Sequence, residues 1–261
     1  MDDKYFIENC KLLGLKKLSC EYDAFIKQAE NQNWGFYQFL LHIIENEAVA
    51  KKERSIVYRI QQSKLPTPLK LLADFDFSFQ PSINPKLIMD LATMNFMKHK
   101  DSILFIGDCG VGKSHLTQSI AVIACQKGYR VLYTTCAKLI YDLNIGVYEK
   151  TMMTRLRKYV SYDLLIIDEM GHDRLELEVV KEAHLLFKVI DERYKLKAPI
   201  IFTSNVKELD WAEFLGDPIT TKAILDRIFH HSVKIDIKGP SYREHKGKML
   251  QDKYVNSHPG I

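Results

Sequence analysis

The spacing of hydrophobic residues changes once along this chain. Up to about residue 73 they recur at helical intervals without strand-like alternation: Leu12, Leu13 and Leu15 follow an amphipathic start, and Phe36, Phe39, Leu40, Ile43 and Ile44 form a wide apolar stripe. A charged stretch over residues 45–64 follows, and Leu65-Pro66-Thr67-Pro68 ends the pattern. Each proline there lacks a donor and disfavours helix in the residue before it. From about residue 74, short apolar runs alternate with helical ones. Runs at 102–106, 129–135, 163–168, 199–204 and 232–237 read as strands. Asn84-Pro85 reads as a helix cap with proline in the first turn, ahead of Leu87, Leu91 and Met94 on one face. Strands separated by helices predict an α/β fold, a parallel five-stranded sheet between helices. A small all-α N-terminal domain, 1–70, precedes the main domain, 71–261.

Ligands of such sheets sit at the carboxyl ends of the strands, and the polar motifs of this chain fall there. Gly107-Asp108-Cys109-Gly110-Val111-Gly112-Lys113-Ser114, followed by His115, lies between the first strand and a helix carrying Leu116, Ile120 and Ile123. Gly128 is the expected stop of that helix. This is a phosphate-binding loop: backbone N–H groups wrap triphosphate oxygens, and a side chain at Gly107 or Gly112 is expected to obstruct that approach. Lys113 is expected to reach the β- and γ-phosphates of ATP, and the Ser114 hydroxyl to hold Mg2+. The helix N-terminus adds partial positive charge.

Leu164-Leu165-Ile166-Ile167-Asp168-Glu169 is an apolar strand ending in two acids. Neighbouring carboxylates on a strand point to opposite sides, so different roles are expected: Asp168 in the Mg2+ shell, Glu169 polarising the attacking water. Asn205, after Ile200-Ile201-Phe202-Thr203-Ser204, can hydrogen-bond the γ-phosphate or that water. Arg227, in Leu225-Asp226-Arg227-Ile228-Phe229, is the first candidate to act on a neighbouring subunit's nucleotide, with Arg193 second. Arg243 can serve its own chain or a neighbour. Phe75 and Phe77 are candidates for an adenine wall or for ordinary core aromatics.

Composition adds bounds. With 37 basic and 33 acidic residues the formal charge is only +4, which permits nucleic-acid binding without requiring it. Five scattered cysteines form no C-x-x-C pair, which argues for reduced thiols and against a zinc site or disulfide frame. The start carries no signal-peptide pattern and no apolar run has membrane-spanning length, so a cytoplasmic protein without a membrane partner is expected.

In this order, the phosphate loop, acidic strand, Ser-Asn end and helix arginine resemble an AAA+ ATPase. More narrowly, the stretch from about Phe39 to Arg243 resembles the IstB-like transposition helper ATPases of bacterial insertion sequences, relatives of the helicase loader DnaC. Leu-Leu-Ile-Ile-Asp-Glu-Met-Gly, Trp-Ala-Glu-Phe-Leu-Gly-Asp-Pro and Leu-Asp-Arg-Ile-Phe-His-His-Ser-Val-Lys-Ile-Asp-Ile-Lys-Gly-Pro-Ser-Tyr-Arg carry that likeness. Cys109 departs from a common proline, and Ser114 from a common threonine. The little chain left after Arg243 implies no C-terminal lid or a minimal one. The resemblance implies an ATP-dependent oligomer on double-stranded DNA, largely indifferent to sequence, which selects a target site, stimulates the transposase of the same element and disassembles on ATP hydrolysis. Candidate DNA contacts are Lys51, Lys52 and Arg54 in the first domain and Arg155, Arg157 and Lys158 between the second and third strands. A DnaC-like helicase loader and a binding module without turnover remain alternatives.

Overall fold

The computed structural model describes residues 3–171, 179–207 and 210–257. Contacts divide the chain into two compact units, residues 1–58 and 59–261.

In the first unit, α1 (Asp3–Leu12), α2 (Lys16–Gln32) and the first part of α3 (Phe36–Gln62) enclose a small core of Cys10, Leu18 and Phe25, with Phe39 and Ile43 packed on it. The apolar stripe of α3 is thus only partly used. Phe36, Leu40 and Ile44 remain exposed, Phe36 at 96 %. Glu47 is buried and accepts the Leu18 N–H at 2.8 Å, while Arg54 neutralises it from 3.4 Å.

The units divide about a dozen residues before the position expected from the prolines. The end of α3 belongs with the second unit because its side chains pack there. Ile60 and Leu65 join the main core, Arg59 donates to the Cys125 carbonyl, and the Tyr133 N–H donates to the Ser63 carbonyl at 2.7 Å.

In the second unit, α4 (Pro85–Ala92) starts on an Asn84 cap that accepts the Lys86 N–H at 3.0 Å, with Pro85 in the first turn. After it come α5 (Asn95–His99), β1 (Ser102–Gly107), α6 (Lys113–Gln126), β2 (Val131–Thr135), α7 (Cys136–Tyr148), α8 (Met152–Ser161), β3 (Leu164–Met170), α9 (Val179–Lys195), β4 (Ile200–Ser204), α10 (Trp211–Leu215), α11 (Pro218–His230), β5 (Ser232–Ile237) and α12 (Tyr242–Ser257). All strand pairs are parallel, in the order β2-β3-β4-β1-β5. Alternate residues feed two cores. Leu104, Leu165, Ile167 and Phe202 face α7–α11, whereas Ile103, Phe105, Ile166 and Ile201 face α4–α6. Each of these fully buried side chains contributes roughly 1.5–3 kcal/mol. Among the described residues, α12 follows the last strand.

Candidate active site

The phosphate loop joins β1 to α6 at the carboxyl edge of the sheet, between two structural neighbours. A Cβ at Gly107 would lie 2.2 Å from the Ile237 carbonyl oxygen at the end of β5, and one at Gly112 would lie 2.7 Å from the Phe75 ring. Both glycines have positive φ, at 154° and 106°. Their requirement here therefore comes from packing against the protein as well as from room for phosphate. The start of α12 latches the other side: the Tyr242 N–H donates to the Gly110 carbonyl at 3.0 Å.

The loop borders a cleft of about 460 Å³ that also takes in Asp168, Glu169, Asn205, Arg243 and Lys246. Lys113 turns its ammonium onto the Gly107 and Asp108 carbonyls, at 2.6 and 2.8 Å. Burial lowers its pKa, with Arg243 adding to that effect. A triphosphate bound here would give this desolvated cation a strong anionic partner. Residues 69–80 form the opposite wall. Phe75 and Phe79 line the cleft, whereas Phe77 packs against the core and meets Phe75 edge-on at 4.9 Å. The His115 ring lies 2.8 Å from the Leu71 carbonyl and edge-on to Phe75.

Asp168 is 1 % exposed and surrounded by donors. Its Oδ1 accepts from the Ser114 hydroxyl at 3.2 Å, from the Thr203 hydroxyl and from the Glu169 N–H at 3.1 Å; its Oδ2 accepts from the Tyr133 hydroxyl. Ser114 and Asp168 thus bring a hydroxyl and a carboxylate oxygen together beside the phosphate loop, a hard-oxygen pair that fits magnesium.

The two acids do not take opposite faces as simple alternation predicts. The register of β3 against β4 shifts between Ile167 and Met170, and Glu169 has a left-handed φ of 61°. The Thr203 hydroxyl accepts the Glu169 N–H at 3.0 Å and steadies the kink. The bulge returns Met170 to the core beside Ile167 and leaves the exposed Glu169 carboxylate lining the same cleft as Asp168. Asn205 lines it too, with Nδ2 3.8 Å from Cys109 Sγ.

The arginines separate sharply. Arg193 is fully buried and donates to the carbonyls of Tyr159, Tyr162 and Pro199 at 2.9, 2.9 and 2.7 Å. Burial pushes its pKa down to about 10. It ties α8 and the starts of β3 and β4 together, so it is a structural arginine and is withdrawn as a candidate for acting in trans. Arg227 lies over the Phe187 ring at 4.6 Å and pairs with Asp191. It shares a hollow with Ser102 and Ile200, the first residues of β1 and β4. That is the far end of the strands from the phosphate loop, roughly 17 Å away at 3.3 Å per residue. Arg243 lines the cleft of its own chain.

Among the candidate DNA contacts, Lys51, Lys52 and Arg157 are exposed. Arg54 is engaged by Glu47. Arg155 bonds to Asp142, to Glu149 at 2.7 Å and to Thr151, and Lys158 lies 3.6 Å from Asp142. Arg54 and Arg155 are therefore committed to carboxylates of their own units, unlike the free phosphate contacts expected of them.

Sequence reasoning missed Thr203, Tyr133, Phe79 and Tyr242. A threonine inside the apolar run Ile-Ile-Phe-Thr was a usable signal for the first. Tyr133 carried none, because its role depends on the register of β2 against β3.

The chain matches the family described as IstB-like ATP binding protein over residues 8–249. It is 38% identical over 246 residues to a protein named for ATP binding in insertion sequence IS5376 of Geobacillus stearothermophilus, covering 94% of this chain and 96% of that one. With the corresponding protein of IS21 from Pseudomonas aeruginosa it shares 36% identity over 231 residues, covering 88% and 85%. AMPPCP-bound DnaA from Aquifex aeolicus is similar in fold, with a TM-score of 0.55 at 19% identity over 74% of this chain and 57% of that one. The DnaC helicase loader gives 0.51 at 23% identity over 59% and 87%. The matched region contains every nucleotide motif described above, and the chain belongs to the IstB-like ATP binding protein family.

Proposed function

We propose that the protein is the ATP-driven helper of an insertion sequence, assembling on duplex DNA, presenting a target site to the element's transposase and resetting by hydrolysis. The observation that carries the reading is the division of the catalytic groups. Lys113, Ser114, Asp168, Glu169 and Asn205 gather at one end of the sheet, while Arg227 stands at the other. Arg227 cannot reach the nucleotide of its own chain, so a complete site needs a second subunit. The exposed row of Phe36, Leu40 and Ile44 on α3 supports self-association.

In this reading the loop amides and Lys113 bind the β- and γ-phosphates, and Phe75 and Phe79 flank the base. Ser114 and Asp168 would hold magnesium, which would neutralise charge on the phosphate oxygens. Glu169 accepts a hydrogen bond from the attacking water and polarises it, Asn205 orients the γ-phosphate, and Arg227 of the adjoining subunit stabilises the charge that develops in transfer. DNA contact falls to Lys51, Lys52, Arg157 and Lys158, through phosphates, which predicts affinity that drops steeply with salt and varies little with sequence.

Sedimentation of the pure protein with ATP, in parallel on double- and single-stranded DNA, tests the reading. Large complexes that require both ATP and duplex support it. A preference for single strands with capture of a replicative helicase would turn it into a loader, and ATP turnover at full rate by a DNA-bound monomer would end it.

A further inference from the structure

We infer that Tyr133 is a positioning residue that orients the Asp168 carboxylate for magnesium, an inference that rests on the assignment of Ser114 and Asp168 to that ion. Tyr133 sits on the edge strand β2 opposite Ile166 of β3, two residues before the pair Thr135–Asp168. Its half-buried ring packs on the core beneath α6, and its hydroxyl crosses that two-residue step, about 6.6 Å of strand, to donate to Asp168 Oδ2. The root of the ring is fixed as well, because the Tyr133 N–H donates to the Ser63 carbonyl at 2.7 Å.

The two oxygens of Asp168 are treated differently. Ser114, Thr203 and the Glu169 N–H all approach Oδ1, whereas among the described residues Tyr133 alone donates to Oδ2. The phenol thus keeps Oδ2 satisfied and leaves Oδ1 facing Ser114. Without the hydroxyl, Oδ2 would be buried and unpaired. The carboxylate would then be free to turn away from Ser114, which weakens its hold on a cation.

The test is Tyr133→Phe, which keeps the ring, in the full-length chain. Binding of a fluorescent ATP analogue is followed in EDTA and across a magnesium series, with Asp168→Asn in parallel. Affinity in EDTA should match the parent, while the magnesium concentration giving half-maximal enhancement should rise about tenfold, the usual effect of removing an outer partner of a metal ligand. Asp168→Asn should abolish the enhancement. If Asp168→Asn does so and Tyr133→Phe leaves the midpoint unmoved, Tyr133 has no positioning role. If Asp168→Asn leaves it unmoved, the magnesium assignment itself falls. Loss of EDTA binding in Tyr133→Phe, together with a lower melting temperature, would make the residue merely structural and overturn the inference.

Discussion

Arg227 and Asp191 form a close ion pair, Nε to Oδ1 at 2.8 Å, at the edge of the sheet remote from the phosphate loop. Burial raises the Asp191 carboxyl, but hydrogen bonds from Lys195 and Arg227 more than offset this and hold it below the ordinary carboxylate range. Stacking on Phe187 and the Ala223 carbonyl at 3.0 Å complete the setting. On the proposed role, this guanidinium, one quarter exposed, would exchange part of that pairing for a phosphate presented by another molecule. Arg227→Ala should therefore leave ATP binding to the monomer unchanged and lower turnover of the assembled protein by about 10³-fold, the scale known for arginines that act in trans. Mixing the variant with Glu169→Gln protein separates the two sites. Activity restored in mixed assemblies supports action across the interface, and normal hydrolysis by Arg227→Ala alone excludes it.

Arg193 predicts the opposite outcome. Its guanidinium serves several carbonyls in the interior, so Arg193→Leu strands those acceptors. The cost should exceed roughly 3 kcal/mol, or about 6–12 °C in a unit of this size. Thermal melting by circular dichroism reads it directly. A change smaller than about 2 °C would show that water replaces the arginine without loss.

Glu169 combines a left-handed backbone with a carboxylate that lines the cleft. Its left-handed φ turns the side chain into the cleft, and the Thr203 hydroxyl holds that turn. Glu169→Gln keeps shape and size but accepts the lytic water's proton poorly, so kcat should fall about 10²–10⁴-fold while ATP affinity stays. Assemblies formed with ATP on duplex DNA should persist, and their lifetime in a competitor challenge is the measurement. Rapid disassembly of the variant would remove Glu169 from its role. Glu169→Gly relieves the backbone without restoring the carboxylate; recovery of turnover in that variant would show that the kink alone matters.

Much of the nucleotide site was legible because its signals are local. The loop from Gly107 to Ser114, the acids closing β3 and the polar end of β4 each follow an apolar run, and parallel strands bring such ends to one edge. The residues left unread depend on relations between strands. Tyr133 reaches Asp168 only because Thr135 pairs with it, and Glu169 joins Asp168 in one cleft only because a bulge breaks alternation. The arginines illustrate the same limit. Arg193 and Arg227 sit on neighbouring helices of the same unit, and only burial separates the fully buried fastening from the partly exposed candidate. At α3 the prolines marked the end of the helix correctly, yet its last turn packs with the second unit.

Asp142 supplies a pH-dependent test of the pair α7 and α8, which carries Arg155, Arg157 and Lys158. Its carboxylate accepts from Arg155 and, at 2.8 Å, from the Tyr159 hydroxyl, with Lys158 at 3.6 Å. Burial lifts its pKa, but the Tyr159 bond, the Lys158 charge and the Arg155 bond more than reverse that and hold it below the ordinary 3.8. A carboxyl depressed by folding stabilises above its unfolded value, and that contribution is lost as pH falls through the folded value. Asp142→Asn should therefore melt below the parent by a constant gap from neutrality to about pH 5, and the gap should close below about pH 4. The same variant releases Arg155 from one of its two carboxylate partners. If phosphate contact on this surface comes from Arg157 and Lys158 alone, the salt slope of duplex binding stays as in the parent. A slope steeper by about one unit would mean that Arg155, once freed, joins them, and an unchanged melting gap at pH 3 would remove the carboxylate from the stability argument.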